Sequence, residues 1–183
     1  KSLREWAPLF SRERIQSMAS QRLSTGFPVL DRSLNGGLSN GLYVLGAVPG
    51  LGKSTLALQI AYNLSSQGIP VLYFALVMSR AWITAKSICR ADFTLHHQAG
   101  FQASDLLDSR KARSFSEAEW TRINQAREMI QREGEHLYLY EQGPNLAHIG
   151  HIQEHIRAFQ AAHSGRYGDR PMMVVVDYLQ ILA

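Results

Sequence analysis

The sequence contains very little cysteine, since Cys89 is the single one among 183 residues. One thiol rules out a disulfide within the chain and is typical of proteins from a reducing compartment. Cys89 falls inside an apolar helical pattern, so we interpret it as an inert structural thiol. A disulfide scaffold is therefore excluded.

Long apolar runs are also lacking. No stretch approaches the roughly 18 to 20 apolar residues that span a bilayer, and the N-terminal residues KSLREW lack the apolar stretch of a signal peptide. We find neither an internal repeat nor a low-complexity segment. These absences favour a cytoplasmic protein that does not enter a membrane.

What is present is enough apolar residues, 45% of the chain, for a globular domain with a substantial core. The formal net charge of +4 makes the surface mildly basic. Such a charge would assist contact with a polyanion, but it is common among proteins that bind none. Composition alone therefore leaves the function open.

Apolar runs and helical patterns alternate along the chain, which predicts an α/β fold with a parallel sheet flanked by helices. The segment 93–115 is polar and weakly patterned. The continuous apolar runs predict strands at 42–45, 71–76, 137–140 and 172–176. Helical spacing predicts helices at 11–23, 54–66 and 79–91, after the capping box Ser116–Glu119, and after a cap at Asn145.

One segment matches the phosphate-loop pattern, a glycine-containing turn followed by Gly-Lys-Ser between a strand and a helix. Small residues let backbone N–H groups curl around phosphate oxygens, and the start of the helix adds its positive dipole end. Lys53 would reach the β- and γ-phosphates, and the Ser54 hydroxyl would bind Mg²⁺. The candidate nucleotide-binding residues are Val48, Pro49, Gly50, Leu51, Gly52, Lys53, Ser54 and Thr55.

A second candidate element is the apolar strand that ends in Asp177. A carboxylate at the carboxyl end of a parallel strand can fix the water shell of a nucleotide-bound magnesium ion. An apolar strand ending in aspartate is a weak signal alone. Together with the phosphate loop it predicts a site for ATP and Mg²⁺, with Ser54 and Asp177 as the metal residues.

Several motifs together resemble the DnaB family of replicative helicases, in superfamily 4. They are Ser24-Thr25-Gly26-Phe27 with Leu30-Asp31, Gly36-Gly37-Leu38 with Gly41, the loop 47–54, and Asp177-Tyr178-Leu179-Gln180. The resemblance covers residues 24–183 and implies a RecA-like ATPase domain that forms a hexameric ring on single-stranded DNA. Replication proteins such as primase or a loader are its implied partners.

The resemblance also implies roles for other parts of the chain. Asp177 would be the acid of the nucleotide site, and Gln180 would sense the γ-phosphate or couple it to DNA. Residues 1–23 resemble the linker helix that docks on a neighbouring subunit. The main DNA-binding loops and the arginine finger of the family would lie beyond Ala183.

Two departures from the family pattern bear on catalysis. Where the family carries the glutamate that activates the attacking water, this chain has Val77, which cannot accept a proton. Glu141, just after the third predicted strand, is the candidate substitute. Lys86 stands where the family tends to have an arginine packed on the base, and lysine stacks less well.

These observations leave two functional hypotheses. The first is the ATPase core of a DnaB-like helicase, with Lys53, Asp177, Gln180 and Glu141 as catalytic residues. The alternative is a helicase-like protein that binds ATP without hydrolysing it and acts as a loader, regulator or assembly platform. A recombinase-like or clock-like RecA relative is disfavoured, because it should lack the ending Asp177–Gln180.

Two clusters allow other chemistry, although solvated surface is the simpler interpretation of each. His148, His151 and His155 share one side of a predicted helix, at a spacing that could present imidazoles to a metal. No cysteine or well-placed carboxylate completes that site. The basic cluster Arg110, Lys111 and Arg113 could contact nucleic acid, but we expect a solvated loop.

Overall fold

The computed structural model describes residues 4, 7–9, 11–14, 22–98, 100–141, 143, 148–168 and 170–177. Backbone contacts divide the chain into two compact units, residues 1–56 and 57–183. Of the helix predicted at 11–23, residues 12–14 are helical and most of the rest lies outside the described residues. Asn145 and Gln180 lie outside them as well.

In the first unit, a short antiparallel bridge joins Leu23 to Leu38 through two backbone hydrogen bonds of 2.8 Å. Gly37 is required beside this bridge: its φ is +122°, and a Cβ there would lie 2.4 Å from the Leu23 carbonyl oxygen. Helix α1, Pro28–Ser33, follows, with a proline in its first turn. The glycine pair at 36–37 is therefore part of this turn.

Asp31 ties the α1 region to the residues that precede the helix. Its carboxylate accepts hydrogen bonds from the Ser24 hydroxyl at 2.6 Å, the Thr25 hydroxyl at 2.7 Å and the Thr25 amide at 2.8 Å. These bonds hold the pKa of Asp31 below its ordinary value, the Ser24 bond contributing most. The pairing of Ser24-Thr25 with Asp31 in the sequence therefore has a structural cause.

The strand predicted at residues 42–45 is wrong. The segment belongs to no strand among the described residues, and Leu42 and Val44 are 87% and 84% exposed. The Tyr43 hydroxyl instead accepts a hydrogen bond of 2.9 Å from the Ser39 amide. An apolar run indicates the tendency to extend, but a strand also needs a partner, and this run has none within its own unit.

Helix α2, Lys53–Ser66, begins in the first unit and ends in the second. The second unit continues with alternating strands and helices, as the sequence pattern predicts. The strands are β1 Val71–Ala75, β2 Leu137–Glu141 and β3 Met173–Asp177. The helices are α3 Arg80–His96, α4 Ala103–Leu107, α5 Ser109–Ser114, α6 Glu117–Glu133, α7 Ile149–Ala162 and α8 Ser164–Tyr167.

The three strands form a parallel sheet in the order β2-β1-β3. All five residues of β1 are buried, because neighbouring strands pair with both of its edges and both of its faces are covered. This explains the continuous apolar run at residues 71–76, which lacks the alternation of a half-exposed strand. The prediction of a parallel sheet with flanking helices is confirmed.

One face of this sheet packs against α7 and α8 to form the main core cluster. Leu72 and Phe74 of β1 contact Ile152 and Phe159 of α7, and partly buried residues of β2 and β3 pack around them. Phe74 stacks on Tyr140 with ring centroids 4.8 Å apart. The amphipathic pattern after residue 148 is therefore the core-facing side of α7.

Helix boundaries differ from the sequence pattern in three places. Helix α3 begins after the Ser79 cap as predicted but continues five residues further, to His96. The cap of α7 is the His148 side chain, which accepts from the Gly150 amide. The segment 93–115 contains the end of α3 and the short helices α4 and α5. The basic cluster at 110–113 is therefore helical rather than a loop.

No helix in the described part of the chain combines the length and the apolar character required to cross a membrane.

Candidate functional site

The phosphate loop lies in the first unit and has the backbone conformation that its glycines permit. Gly50 and Gly52 have φ values of +84° and +83°, a region that residues with side chains rarely adopt. Helix α2 starts immediately afterwards at Lys53. The loop therefore leads into a helix N-terminus, which supplies N–H donors and the positive end of a dipole.

Lys53 folds back over the loop from which it projects. Its ammonium group donates to the carbonyl oxygens of Ala47 at 3.0 Å and Val48 at 3.4 Å. Both bonds are exposed, and exposed hydrogen bonds contribute little net free energy because water competes for the same groups. The ammonium group can thus exchange these carbonyls for phosphate oxygens.

The remaining loop residues are open to solvent. The side chains of Val48 and Leu51 are 63% and 71% exposed. Ser54 is half-buried and Thr55 exposed, both in the first turn of α2. Each of the predicted loop residues, Pro49 included, therefore lies in a short stretch that a polyphosphate could approach from water.

Two carboxylates mark the carboxyl edge of the sheet in the second unit. Glu141 ends β2 and Asp177 ends β3, and both are the register partners of Ala75 at the end of β1. Since neighbouring strands lie about 4.8 Å apart, the two Cα atoms are separated by roughly 10 Å. The structure thus brings these two predicted acids to one sheet edge.

The two acids have different partners. Asp177 accepts a hydrogen bond of 2.7 Å from the Tyr73 hydroxyl. Glu141, one-third exposed, forms a salt bridge of 3.0 Å with Arg80, the first residue of α3. The charged Arg80 holds the carboxylate that we predicted as a substitute base.

Val77 and Lys86 lie on the chain between β1 and the middle of α3. Val77 follows the strand and is 55% exposed, so no carboxylate stands at the position of the usual glutamate. Lys86 is half-buried within α3. Its predicted contact with a nucleotide base stays a prediction.

The described residues contain no group of three or more metal-ligating side chains. His155 packs edge-on against Phe74 and Tyr140, while its Nδ1 hydrogen-bonds the His151 carbonyl oxygen at 2.8 Å. His148 caps α7. These imidazoles therefore have structural functions in the helix that presents them.

Other side chains outside the loop confirm simpler interpretations. Burial raises the pKa of the Cys89 thiol, as expected of an inert structural cysteine. Arg110, Lys111 and Arg113 are exposed on α5, and Lys111 bonds the Asp105 carboxylate.

Sequence reasoning missed the bond between Tyr73 and Asp177. Tyrosine is common in buried strands, and only the register of β1 and β3 places its hydroxyl beside the carboxylate. The one available signal was a polar side chain within an otherwise apolar run.

Comparison with known proteins identifies the family. The family described as "DnaB-like helicase C terminal domain" matches residues 22–183. The chain is 31% identical over 160 residues to the replicative DNA helicase DnaB of Leifsonia xyli subsp. xyli, covering 86% of the chain and 30% of that protein. It is 26% identical over 171 residues to the DnaB of Synechocystis sp., covering 91% of the chain and 17% of that protein.

A shorter similarity connects the chain to a repair protein. It is 48% identical over 67 residues to the DNA repair protein RadA of Campylobacter jejuni, which covers 36% of the chain and 15% of that protein. The chain thus spans less than a third of the length of each of these three relatives. The match to RadA covers far less of the chain than the matches to the two DnaB helicases.

The fold comparison agrees. A solved ATPase domain of another protein superposes with a TM-score of 0.74 at 24% sequence identity, covering 100% of this chain and 58% of that one. This likeness shows the fold, and the family match rests on the sequence. The chain therefore belongs to the DnaB-like helicase C-terminal domain family and has its RecA-like fold.

Proposed function

We propose that this chain is the ATP-binding core of a replicative DNA helicase, which couples hydrolysis of magnesium-bound ATP to movement along single-stranded DNA. One observation carries the proposal: within a chain of this family, residues 47–54 form a loop with two left-handed glycines that leads into a helix N-terminus. That loop is suited to bind a polyphosphate.

The residues present fit ATP and Mg²⁺. Amides of the loop would donate to phosphate oxygens, and Lys53 would exchange its two carbonyl partners for the β- and γ-phosphates. The Ser54 hydroxyl is a hard oxygen ligand of the kind that Mg²⁺ accepts. Asp177 would order the water shell of the ion, and Mg²⁺ would supply neutralisation of the phosphate charge.

The partners proposed for the assembled protein follow from the family. They are further copies of the chain in a hexameric ring, single-stranded DNA, and replication proteins such as primase or a loader. Gln180 is proposed to sense the γ-phosphate or couple it to DNA, and Lys86 to pack on the base. The mildly basic composition supports an anionic partner but does not select one.

The primary test measures the affinity of a fluorescent ATP analogue in the presence of magnesium. Lys53→Ala is expected to weaken binding by about tenfold to a hundredfold, because a charge-assisted contact is worth about 1.5–3 kcal/mol. Lys111→Ala is the matched control, since Lys111 is an exposed lysine that bonds Asp105. Equal affinities for Lys53→Ala and the unaltered protein would overturn the proposed site.

A second candidate function rests on Val77 and on the salt bridge between Glu141 and Arg80. Without a free general base the protein would hold ATP as a loader, regulator or assembly platform. The relatives that cover most of the chain are replicative helicases, which favours the first function. Turnover stimulated by single-stranded DNA in the unaltered protein distinguishes the two.

A further inference from the structure

The buried tyrosine of the central strand makes a specific contact at the carboxyl edge of the sheet. Tyr73 is fully buried, and its hydroxyl donates to Oδ2 of Asp177 at 2.7 Å. A distance of 2.7 Å is typical of an O–H donor bonded to a carboxylate. The bond connects residues 104 positions apart in the sequence.

The strand register explains how the two side chains meet. Tyr73 is opposite Val175, and Ala75, two residues later on β1, is opposite Asp177. Residues two apart on a strand share a face, so Tyr73 and Asp177 are diagonal neighbours on the same face. A diagonal pair is too distant for short side chains but within reach of an aromatic ring that carries a hydroxyl.

The chemistry makes the contact one-directional. Burial raises the pKa of Tyr73, and the hydrogen bond to Asp177 raises it further, so the phenol stays protonated. An ionised carboxylate can only accept. The hydroxyl therefore donates and the carboxylate accepts at every pH at which both groups hold these charge states.

We propose that Tyr73 is a positioning residue, which holds the carboxylate of Asp177 in one rotation about its side-chain bonds. Rotation of the carboxylate away from this orientation would leave the buried hydroxyl without its partner, which is unfavourable in a site shielded from water. Partners of this kind orient the groups around a metal and typically change its affinity by about tenfold to a hundredfold.

This inference rests on the proposed function, because it gives Tyr73 a role only if Asp177 orders water around nucleotide-bound magnesium. The test compares the dissociation constant of a fluorescent ATP analogue in magnesium with that in EDTA. Tyr73→Phe removes the hydroxyl and keeps the ring. We expect it to raise the dissociation constant in magnesium by about tenfold and to leave the constant in EDTA unchanged.

Tyr138→Phe is the matched control. Tyr138 lies on the neighbouring strand β2, and its hydroxyl bonds that of Tyr167 at 2.8 Å, away from Asp177. The control should leave both constants unchanged. Equal weakening in magnesium by both variants, or loss of the folded state in Tyr73→Phe, would make the hydroxyl structural and overturn the proposal.

A double substitution separates positioning from general packing. In an Asp177→Ala background, Tyr73→Phe should add no further loss of magnesium-dependent affinity, because the group that it positions is absent. An additive loss would contradict the proposal.

Failure of the inference can be told from failure of the proposed function. Affinity that depends on Lys53, with an unchanged magnesium effect in Tyr73→Phe, overturns the role of Tyr73 alone. Affinity that does not respond to Lys53→Ala overturns the nucleotide site itself.

Discussion

At the scale of single residues, the phosphate loop depends on backbone conformation more than on side-chain contacts. A left-handed φ at a residue other than glycine costs roughly 1–2 kcal/mol, because its Cβ crowds the following carbonyl oxygen. A Cβ added at Gly50 would meet no atom within 4 Å, so its φ of +84° is the main constraint there. The glycine is therefore required for conformation and not for space.

Gly50→Ala should consequently weaken binding of an ATP analogue by about tenfold, since 1.4 kcal/mol corresponds to a factor of ten. Fluorescence titration measures the effect. Gly165→Ala is a suitable control, because Gly165 lies in helix α8 with open space around it and no left-handed φ. Unchanged affinity in Gly50→Ala would show that the loop binds in another conformation.

Catalysis is decided at the residue scale as well. Val77→Glu should raise ATP turnover by about 10²–10⁴, the contribution of a positioned general base, with little change in affinity. The carboxylate would act mainly on the transition state, whereas the loop also holds the ground state. Val77→Gln, which cannot accept a proton, is the control in a steady-state assay of the assembled protein with DNA.

Glu141→Gln completes this test. If the unaltered protein hydrolyses ATP rapidly and Glu141→Gln abolishes that activity, Glu141 is the base despite its salt bridge with Arg80. Slow turnover that responds only to Val77→Glu instead identifies a protein that binds ATP without hydrolysing it at a useful rate.

At the scale of elements, a buried ion pair joins α3 to α6. Asp92 is fully buried and accepts two hydrogen bonds of 2.8 Å from the Arg122 guanidinium. His96 Nδ1 lies 3.1 Å from the same carboxylate, and the Gly100 amide donates to it. The cluster therefore fixes both the packing of two helices and the turn after α3.

Arg122→Met should lower the free energy of unfolding by about 3 kcal/mol, because it leaves a buried carboxylate without its charged partner. Urea denaturation followed by circular dichroism measures this change. Arg166→Met, which breaks the exposed pair with Glu135, should cost less than about 1 kcal/mol. Similar costs for the two variants would contradict the importance of burial.

The bonds of Asp31 predict an acid-dependent element in the first unit. Because the pKa of Asp31 is lowered by folding, its stabilising contribution is present above the unfolded-state pKa of about 3.9. The contribution is lost as the pH falls from there through the lower folded-state pKa. Hydrogen exchange of residues 22–40 should therefore accelerate in that acid range, and Asp31→Asn should show faster exchange already at pH 7.

At the scale of the whole molecule, the family match begins at residue 22, which leaves the preceding segment without an assigned function. We predict that residues 3–23 pack against a neighbouring subunit. Deletion of residues 1–21 should then lower the oligomeric state without changing ATP affinity. Small-angle scattering over a range of concentrations measures this. A compact monomer at high concentration, with the segment folded on its own chain, would refute the prediction.

Local sequence by itself determined most elements of the second unit. Ser79 and the Ser116–Glu119 capping box marked where α3 and α6 begin, because caps act through bonds only three residues long. Continuous apolar runs marked all three strands of the sheet, because burial on both faces selects such residues. The phosphate loop was also legible, since its chemistry lies within eight consecutive residues.

Tertiary structure decided what depends on partners distant in sequence. It left residues 42–45 unpaired despite an apolar run, and it gave the carboxylate of Glu141 to Arg80. It also joined Tyr73 to Asp177 across 104 positions. Propensity and spacing describe a residue and its near neighbours, whereas strand pairing, ion pairing and side-chain orientation depend on which distant segments the whole fold brings together.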